Sequence, residues 1–204
     1  MKKKIVTFGE IMLRLTTPDN LRMQQSREFL VNYGGSEANV AISIANFGGD
    51  VEYITRLPDN ALGETCLAEL RSHNIGTQHI LIGGRRLGTY YMEKAAAMRN
   101  SKVIYDREGS AFSELKPGMI DWRTIFSDAA IFHWSGIDAA LTPGLADVCK
   151  EAITIAKEMG LTISYDINYR KNLWNYGKSA QEVLRPLMVS SDIMFGSEGE
   201  YALL

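Results

Sequence analysis

Apolar positions in this chain follow two rhythms, short β-branched runs and longer stretches with helical spacing, and glycine marks many of the joins. Lys4-Ile5-Val6-Thr7-Phe8, stopped by Gly9, predicts a buried strand. Residues from about Met12 to Tyr33 are more polar, with a turn signal at Thr16-Thr17-Pro18-Asp19-Asn20. Ser36 is placed to cap a helix from Glu37 to Phe47. Its Ala38, Ala41, Ile42 and Ala45 recur at helical spacing before Gly48-Gly49 ends it. Val51 to Thr55 reads as a strand, and Ala61 to His73, behind Asp59-Asn60, as a helix.

The middle of the chain changes grammar. Ile80-Leu81-Ile82, Gly88 to Glu93 and Lys102 to Tyr105 are strand-like, punctuated by Gly83-Gly84 and Asn100-Ser101, which is a hairpin pattern set inside an α/β alternation. Alternation resumes with a strand from Ala130 to Trp134 and a helix through Met159, capped by Thr142 with Pro143 in its first turn. A strand from Leu161 to Tyr165, a helix from Ser179 to Val189 and a strand Ile193-Met194-Phe195 follow, and a last helix begins at Ser197. Repeated strand–helix–strand units predict an α/β fold, a mainly parallel sheet with helices on both faces, while the inserted strands form a separate small sheet. The chain stops one turn into a helix, so residues 1–204 are expected to be an incomplete domain.

Composition narrows the function classes. Hydrophobic residues at 46% and charged residues at 23% are ordinary for a folded domain, and a net charge of −2 argues against a nucleic-acid partner. The one dense basic run, Lys2-Lys3-Lys4, leads into an apolar stretch too short for a signal-peptide core or a membrane helix. A cytoplasmic location with no membrane partner is therefore expected. Cys66 and Cys149 have neither metal-ligand spacing nor disulfide density and read as buried or half-buried thiols. His73, His79 and His133 are scattered and form no metal or triad cluster. His133 is expected at a strand end with one hydrogen bond satisfied.

The strongest local signal is Asn32-Tyr33-Gly34-Gly35-Ser36-Glu37-Ala38-Asn39-Val40-Ala41. Two glycines ahead of a helix let a ligand approach the backbone and meet free N–H groups, although a plain tight loop would look the same. Gly34-Gly35, Asn39, Ala41 and Gly48 together resemble the N-terminal signature of the PfkB, ribokinase-like family of sugar kinases. Pro58 stands where that signature usually has glycine, while Asp59-Asn60-Ala61-Leu62-Gly63 is otherwise similar. Gly88-Thr89-Tyr90-Tyr91, Ile104 to Ala111, and Asp166-Ile167-Asn168-Tyr169-Arg170 before Leu173-Trp174 resemble the subgroup acting on 2-keto-3-deoxygluconate. These matches run in order along essentially the whole chain.

The resemblance implies a ribokinase-like fold with a small β-sheet lid, its strands roughly within 12–33 and 86–107. It implies that the full-length protein phosphorylates 2-keto-3-deoxygluconate to 2-keto-3-deoxy-6-phosphogluconate, with ATP and Mg²⁺. The sugar-acid pocket would be lined by Gly34, Gly35, Ser36, Glu37, Ala38, Tyr90, Tyr105, Arg107 and Arg170. ATP would be met by Asn168, Tyr169, Arg170 and Ser197. Glu200, in Ser197-Glu198-Gly199-Glu200, would act on the metal through water, with Ser197 replacing the asparagine of the family's N-x-x-E element.

The residue chemistry agrees, because a carboxylate needs fixed cations and arginine's planar fork suits both carboxylate and phosphate. Solvated surface pairs, sheet packing and a first-turn glutamate are the plain alternatives for the arginines, tyrosines and Glu200. The family's catalytic base, the Asp of a Gly-x-Gly-Asp loop, has no counterpart here. Phe47-Gly48-Gly49-Asp50 ends a helix and leads into a strand, so the base is expected beyond Leu204. A fructokinase-like kinase of a neutral sugar and a catalytically inactive sugar-acid-binding fragment are the alternatives. An exposed lid edge needs covering, which makes a homo-oligomer through the lid strands an expectation.

Overall fold

Side chains alternate along β1 (Lys4–Phe8), and each of its faces meets a different core. Val6 and Phe8 point into one core, while Ile5 packs against the other. The remaining elements follow in chain order: β2 (Met12–Thr16), β3 (Leu30–Gly34), α1 (Ser36–Asn46), β4 (Val51–Ile54), β5 (Arg56–Leu57), α2 (Ala61–Ser72), β6 (Leu81–Ile82), β7 (Thr89–Glu93) and β8 (Lys102–Asp106). Then come α3 (Trp122–Phe126), β9 (Ala129–Ser135), α4 (Gly136–Leu141), α5 (Pro143–Glu158), β10 (Thr162–Asp166), α6 (Ala180–Met188), β11 (Ile193–Phe195) and α7 (Glu198–Leu203). This computed structural model describes residues 4–204, so Lys2 and Lys3 of the basic run lie outside it. Lys4 pairs with Asp128 at 2.8 Å and Glu52 at 3.4 Å.

The five-stranded sheet has the order β11-β10-β9-β1-β4, and every pairing in it is parallel. One face is covered by α3, α5 and α6 through Trp122, Phe126, Leu145, Val148, Ala152 and Leu184. The other is covered by α1 and α2 through Ala38, Ala41, Cys66 and Leu70, while all three residues of the edge strand β11 are exposed. Parallel strands buried on both faces read as continuous apolar runs, which is why the sequence exposes them so clearly. Thr142 caps α5 by accepting from the Leu145 N–H at 3.1 Å, with Pro143 at the first position.

A second sheet of four strands has the order β3-β2-β7-β8. Its β2–β3 and β7–β8 pairs are antiparallel and its β2–β7 pair parallel. Two expectations need correction. Ile80-Leu81-Ile82 does not join the hairpins, because β6 pairs in parallel with β5 in a separate two-stranded ladder. Ser36 does not cap α1. Gly35, with extended φ −163 and ψ 148, is the N-cap and carries no side chain, so the helix begins at Ser36 itself. His133 lies inside β9 rather than at its end. Its Nδ1 is 2.9 Å from Ser164 Oγ, and burial pushes its pKa down to about 4. Cys66 and Cys149 are free and buried.

Candidate functional site

A cavity forms where the carboxyl ends of β1, β9 and β10 meet the inner face of the four-stranded sheet. Ligands of open α/β sheets collect at such strand ends. Two glycines let the parts close. A Cβ on Gly35 would collide with the Glu10 carbonyl oxygen, and one on Gly34 would lie 2.7 Å from the Tyr90 hydroxyl. The cavity holds about 280 Å³.

Of the expected residues, Gly34, Gly35, Ser36, Glu37, Tyr90, Tyr105, Arg107 and Arg170 line this cavity, and Asn168, expected at ATP, lines it too. Ala38 does not. It is 1% exposed and faces the core with Ala41, since each residue of the helix turns its side chain about 100° from its neighbours. Glu10, Met12, Asn39, Ile137 and Asp138 also line the cavity, and sequence reasoning gave none of them a site role. A glutamate directly after a strand-ending glycine is a signal for Glu10. The Ser135-x-x-Asp138 spacing is a capping-box signal for Asp138.

The electrostatics of the wall are unusual. Glu10, Glu37 and Asp138 are all buried, yet each has one carboxyl oxygen without a hydrogen-bond partner. Arg107 donates from Nε to Glu10 Oε2 at 2.8 Å, and its Nη2 reaches the same oxygen. Its guanidinium also lies 5.9 Å from the centre of the Tyr105 ring. Burial raises Glu37 to about 7, and the nearby Ser135 and Ser36 hydroxyls oppose that rise. Burial and the neighbouring Glu37 push Asp138 well above the usual carboxylate range. Buried polar atoms left unpaired inside a cavity are the mark of groups that a polar ligand completes.

A second cluster lies beyond β10. Asn168 has a left-handed φ of 42 and donates from Nδ2 to Ser36 Oγ at 3.0 Å. Arg170 is exposed and donates to the Tyr169 carbonyl at 2.9 Å. The Tyr169 N–H donates to Glu200 Oε1 at 2.8 Å, while the Ser197 N–H and Oγ reach Glu200 Oε2 at 2.8 and 2.9 Å. The Ser197 backbone donor, followed by those of Ser197 Oγ and Tyr169, holds the Glu200 carboxyl below its usual pKa. Tyr169, Ser197 and Glu200 thus stand together, off the wall of the cavity.

A family model described as pfkB family carbohydrate kinase matches residues 2–204. The chain belongs to the pfkB family. Among relatives of this pfkB chain, the 2-dehydro-3-deoxygluconokinase of Thermotoga maritima has a solved structure that superposes with a TM-score of 0.93 at 44% identity, covering 97% of this chain and 60% of that one. The 2-dehydro-3-deoxygalactonokinase of Haloferax volcanii is 34% identical over 97% of this chain and 62% of its own length. Fructokinase-2 of Solanum lycopersicum is 29% identical over 98% of this chain and 61% of its own. The chain therefore spans about three fifths of the length of these relatives.

For a pfkB chain the groups to be fitted are ATP and Mg²⁺. Arg170 presents an exposed guanidinium suited to a phosphate. Among the described residues no three His, Cys, Asp or Glu side chains group to hold a metal ion, and the Glu200 carboxylate already accepts three hydrogen bonds. Glu200 alone does not make a divalent-cation site. No helix among the described residues is long and apolar enough to cross a membrane.

Proposed function

We propose that the full-length protein is an ATP-dependent kinase that converts 2-keto-3-deoxygluconate to 2-keto-3-deoxy-6-phosphogluconate, and that this chain carries its sugar pocket. The observation behind this reading is one cavity joining two arginines and two tyrosine rings to three buried carboxyl groups with unpartnered oxygens. A sugar acid satisfies both halves of that set. Its hydroxyls complete the orphaned carboxyl oxygens, and its carboxylate meets guanidinium donors. Tyr90 and Tyr105 cover its carbon chain, and the four-stranded sheet serves as a lid that keeps water from the reacting hydroxyl. ATP, when bound, supplies the phosphoryl group, and Arg170 and Asn168 are the residues of this chain that would meet it. The likeness to enzymes named for 2-dehydro-3-deoxy sugar acids supports the substrate class.

One observation favours a neutral ketose instead. Glu10 already opposes the charge of Arg107, and fructokinases are among the relatives. The two readings separate in an assay of ATP-dependent phosphorylation by the full-length protein, its extent verified by intact mass, with 2-keto-3-deoxygluconate and with fructose. Arg107→Ala is expected to lower kcat/KM for the acid about 100-fold and to affect fructose far less, since truncating one half of a buried charge pair removes a specific anchor. Equal losses on the two sugars overturn the acid assignment. If the full-length protein phosphorylates neither, the kinase reading gives way to a sugar-acid-binding module.

A further inference from the structure

Arg14 takes no part in the motifs or in the cavity wall, yet it stands directly behind that wall. It lies mid-way along β2, half-buried, with Asn32 of β3 and Tyr90 of β7 as its register partners. Side chains alternate along a strand, so Arg14 shares a sheet face with Met12, Tyr90 and Tyr105, all of which line the cavity. Its Nε is buried without a hydrogen-bond partner. Among the described residues no carboxylate forms an ion pair with it, whereas Glu10 closes off Arg107. A half-buried cation without a counter-charge is costly, and the cost is recovered when an anion arrives nearby.

What stands beside Arg14 is Tyr90, its cross-strand partner on the same face of the sheet. Burial raises the Tyr90 phenol pKa, and the nearby Arg14 charge opposes that rise. A guanidinium has donors only, so beside it the Tyr90 oxygen can serve as the acceptor and leave its own O–H for another partner. That hydroxyl lies beside Gly34, where a Cβ would come within 2.7 Å of it, and the ring centres of Tyr90 and Tyr105 are 5.7 Å apart. Its unused direction is the cavity.

We infer that Arg14 is a specificity-determining positioning residue: acting through Tyr90, it makes the sheet side of the cavity a seat for the carboxylate of the substrate. The terminal hydroxyl of a sugar acid so held points away from the four-stranded sheet, toward Asn168 and Arg170 after β10. A neutral sugar gains far less from the same seat, because a polarised donor backed by a full positive charge favours an anionic acceptor. The inference rests on the sugar-acid reading of the cavity.

The test measures binding of 2-keto-3-deoxygluconate and of its uncharged C1 carboxamide by calorimetry, in the full-length protein and in its Arg14→Gln, Arg14→Lys, Tyr90→Phe and Arg14→Gln/Tyr90→Phe variants. Arg14→Gln is expected to weaken the acid about tenfold and the amide less than about twofold, the difference expected of a charge-assisted hydrogen bond. Arg14→Lys should fall between, and in the Tyr90→Phe background Arg14→Gln should add nothing. Equal losses on acid and amide, or losses that add with Tyr90→Phe, overturn the role of Arg14 while leaving the sugar-acid site in place. If the wild type binds neither ligand, the site reading and the inference fall together. Should Arg14→Gln not fold, the acid-to-amide ratio of Arg14→Lys, unchanged from wild type, overturns the inference by itself.

Discussion

The two larger sheets of this molecule hold similar numbers of strands and do opposite work. In the five-stranded sheet Val6, Phe8, Phe132, Trp134 and Ile163 are fully buried. In the four-stranded sheet Leu30, Val31, Val103 and Ile104 are between 40% and 61% exposed, and the face toward the cavity carries Arg14, Tyr90 and Tyr105. Where helices cover both faces of a parallel sheet, as over β1 and β4, the strands must be apolar and contribute stability in proportion to their buried area, whereas the edge strand β11 is 41–55% exposed. A sheet only partly covered tolerates a guanidinium and two phenols, because their polar ends stay wet or meet a ligand. On the proposed reading, the first sheet supplies most of the stability and the second one wall of the sugar pocket.

The widest contrast in free energy should come from one substitution in each. Phe132 sits edge-on to Trp122, with ring centres 5.6 Å apart, and 5.1 Å from the Phe126 ring centre. Phe132→Ala is expected to cost about 3–5 kcal/mol in urea or thermal denaturation, the usual sum of lost transfer energy and cavity. Val31→Ala, at a position 61% exposed, should stay within about 0.5 kcal/mol. Comparable losses at both sites would mean that the outer face of the four-stranded sheet is covered in solution, as an oligomer formed through these strands requires.

A smaller effect is expected where the two sheets meet, at Glu37. The carboxyl faces Asp138 of α4, Asp166 of β10, Tyr53 of β4 and the Ser135 and Ser36 hydroxyls. Its pKa is raised from 4.5 to about 7 in the folded chain, first by burial. Between those values the folded protein binds more protons than the unfolded one, so this group makes stability fall as pH rises from about 4.5 to 7 and level off above. Glu37→Gln, neutral at every pH, should flatten that arm by something on the order of 3 kcal/mol. A slope that survives the substitution would place the proton on Asp138, which burial and Glu37 push in the same direction.

Much of the fold could be read from the sequence because its parallel strands carry unbroken apolar runs and its helices carry conventional caps at Asn60, Thr142 and Ser179. The short ladder of β5 and β6 could not. Two-residue strands leave no periodicity, and their parallel register joins Arg56 to Leu81 across a whole helix. In the cavity the glycines, tyrosines and arginines announced themselves by motif. Glu10 did not, since its importance lies in Arg107, 97 residues away, and a single carboxylate after a strand says nothing about its partner. Asp138 carried a local signal as a helix cap, but its complete burial beside Glu37 follows only from how α4 docks. Arg14 was hidden for a related reason, since a charged residue in a strand reads as solvent-facing until its neighbours across the sheet are known.

The smallest expected effect sharpens the boundary between the sheets at Ser36. Serine is a better helix cap than glycine, which is why the sequence favoured it, yet here Gly35 holds the capping position and the Ser36 hydroxyl accepts from Asn168 instead. Ser36→Ala should therefore cost about 1 kcal/mol, the net worth of one partly buried hydrogen bond. The first-turn amides of α1 should keep their hydrogen-exchange protection, while Asn168, held at a left-handed φ of 42, becomes more mobile. The outcome to watch for is the reverse. Faster exchange at the start of α1 with Asn168 unchanged would return Ser36 to the role of cap and detach the residues after β10 from the loop that opens the cavity.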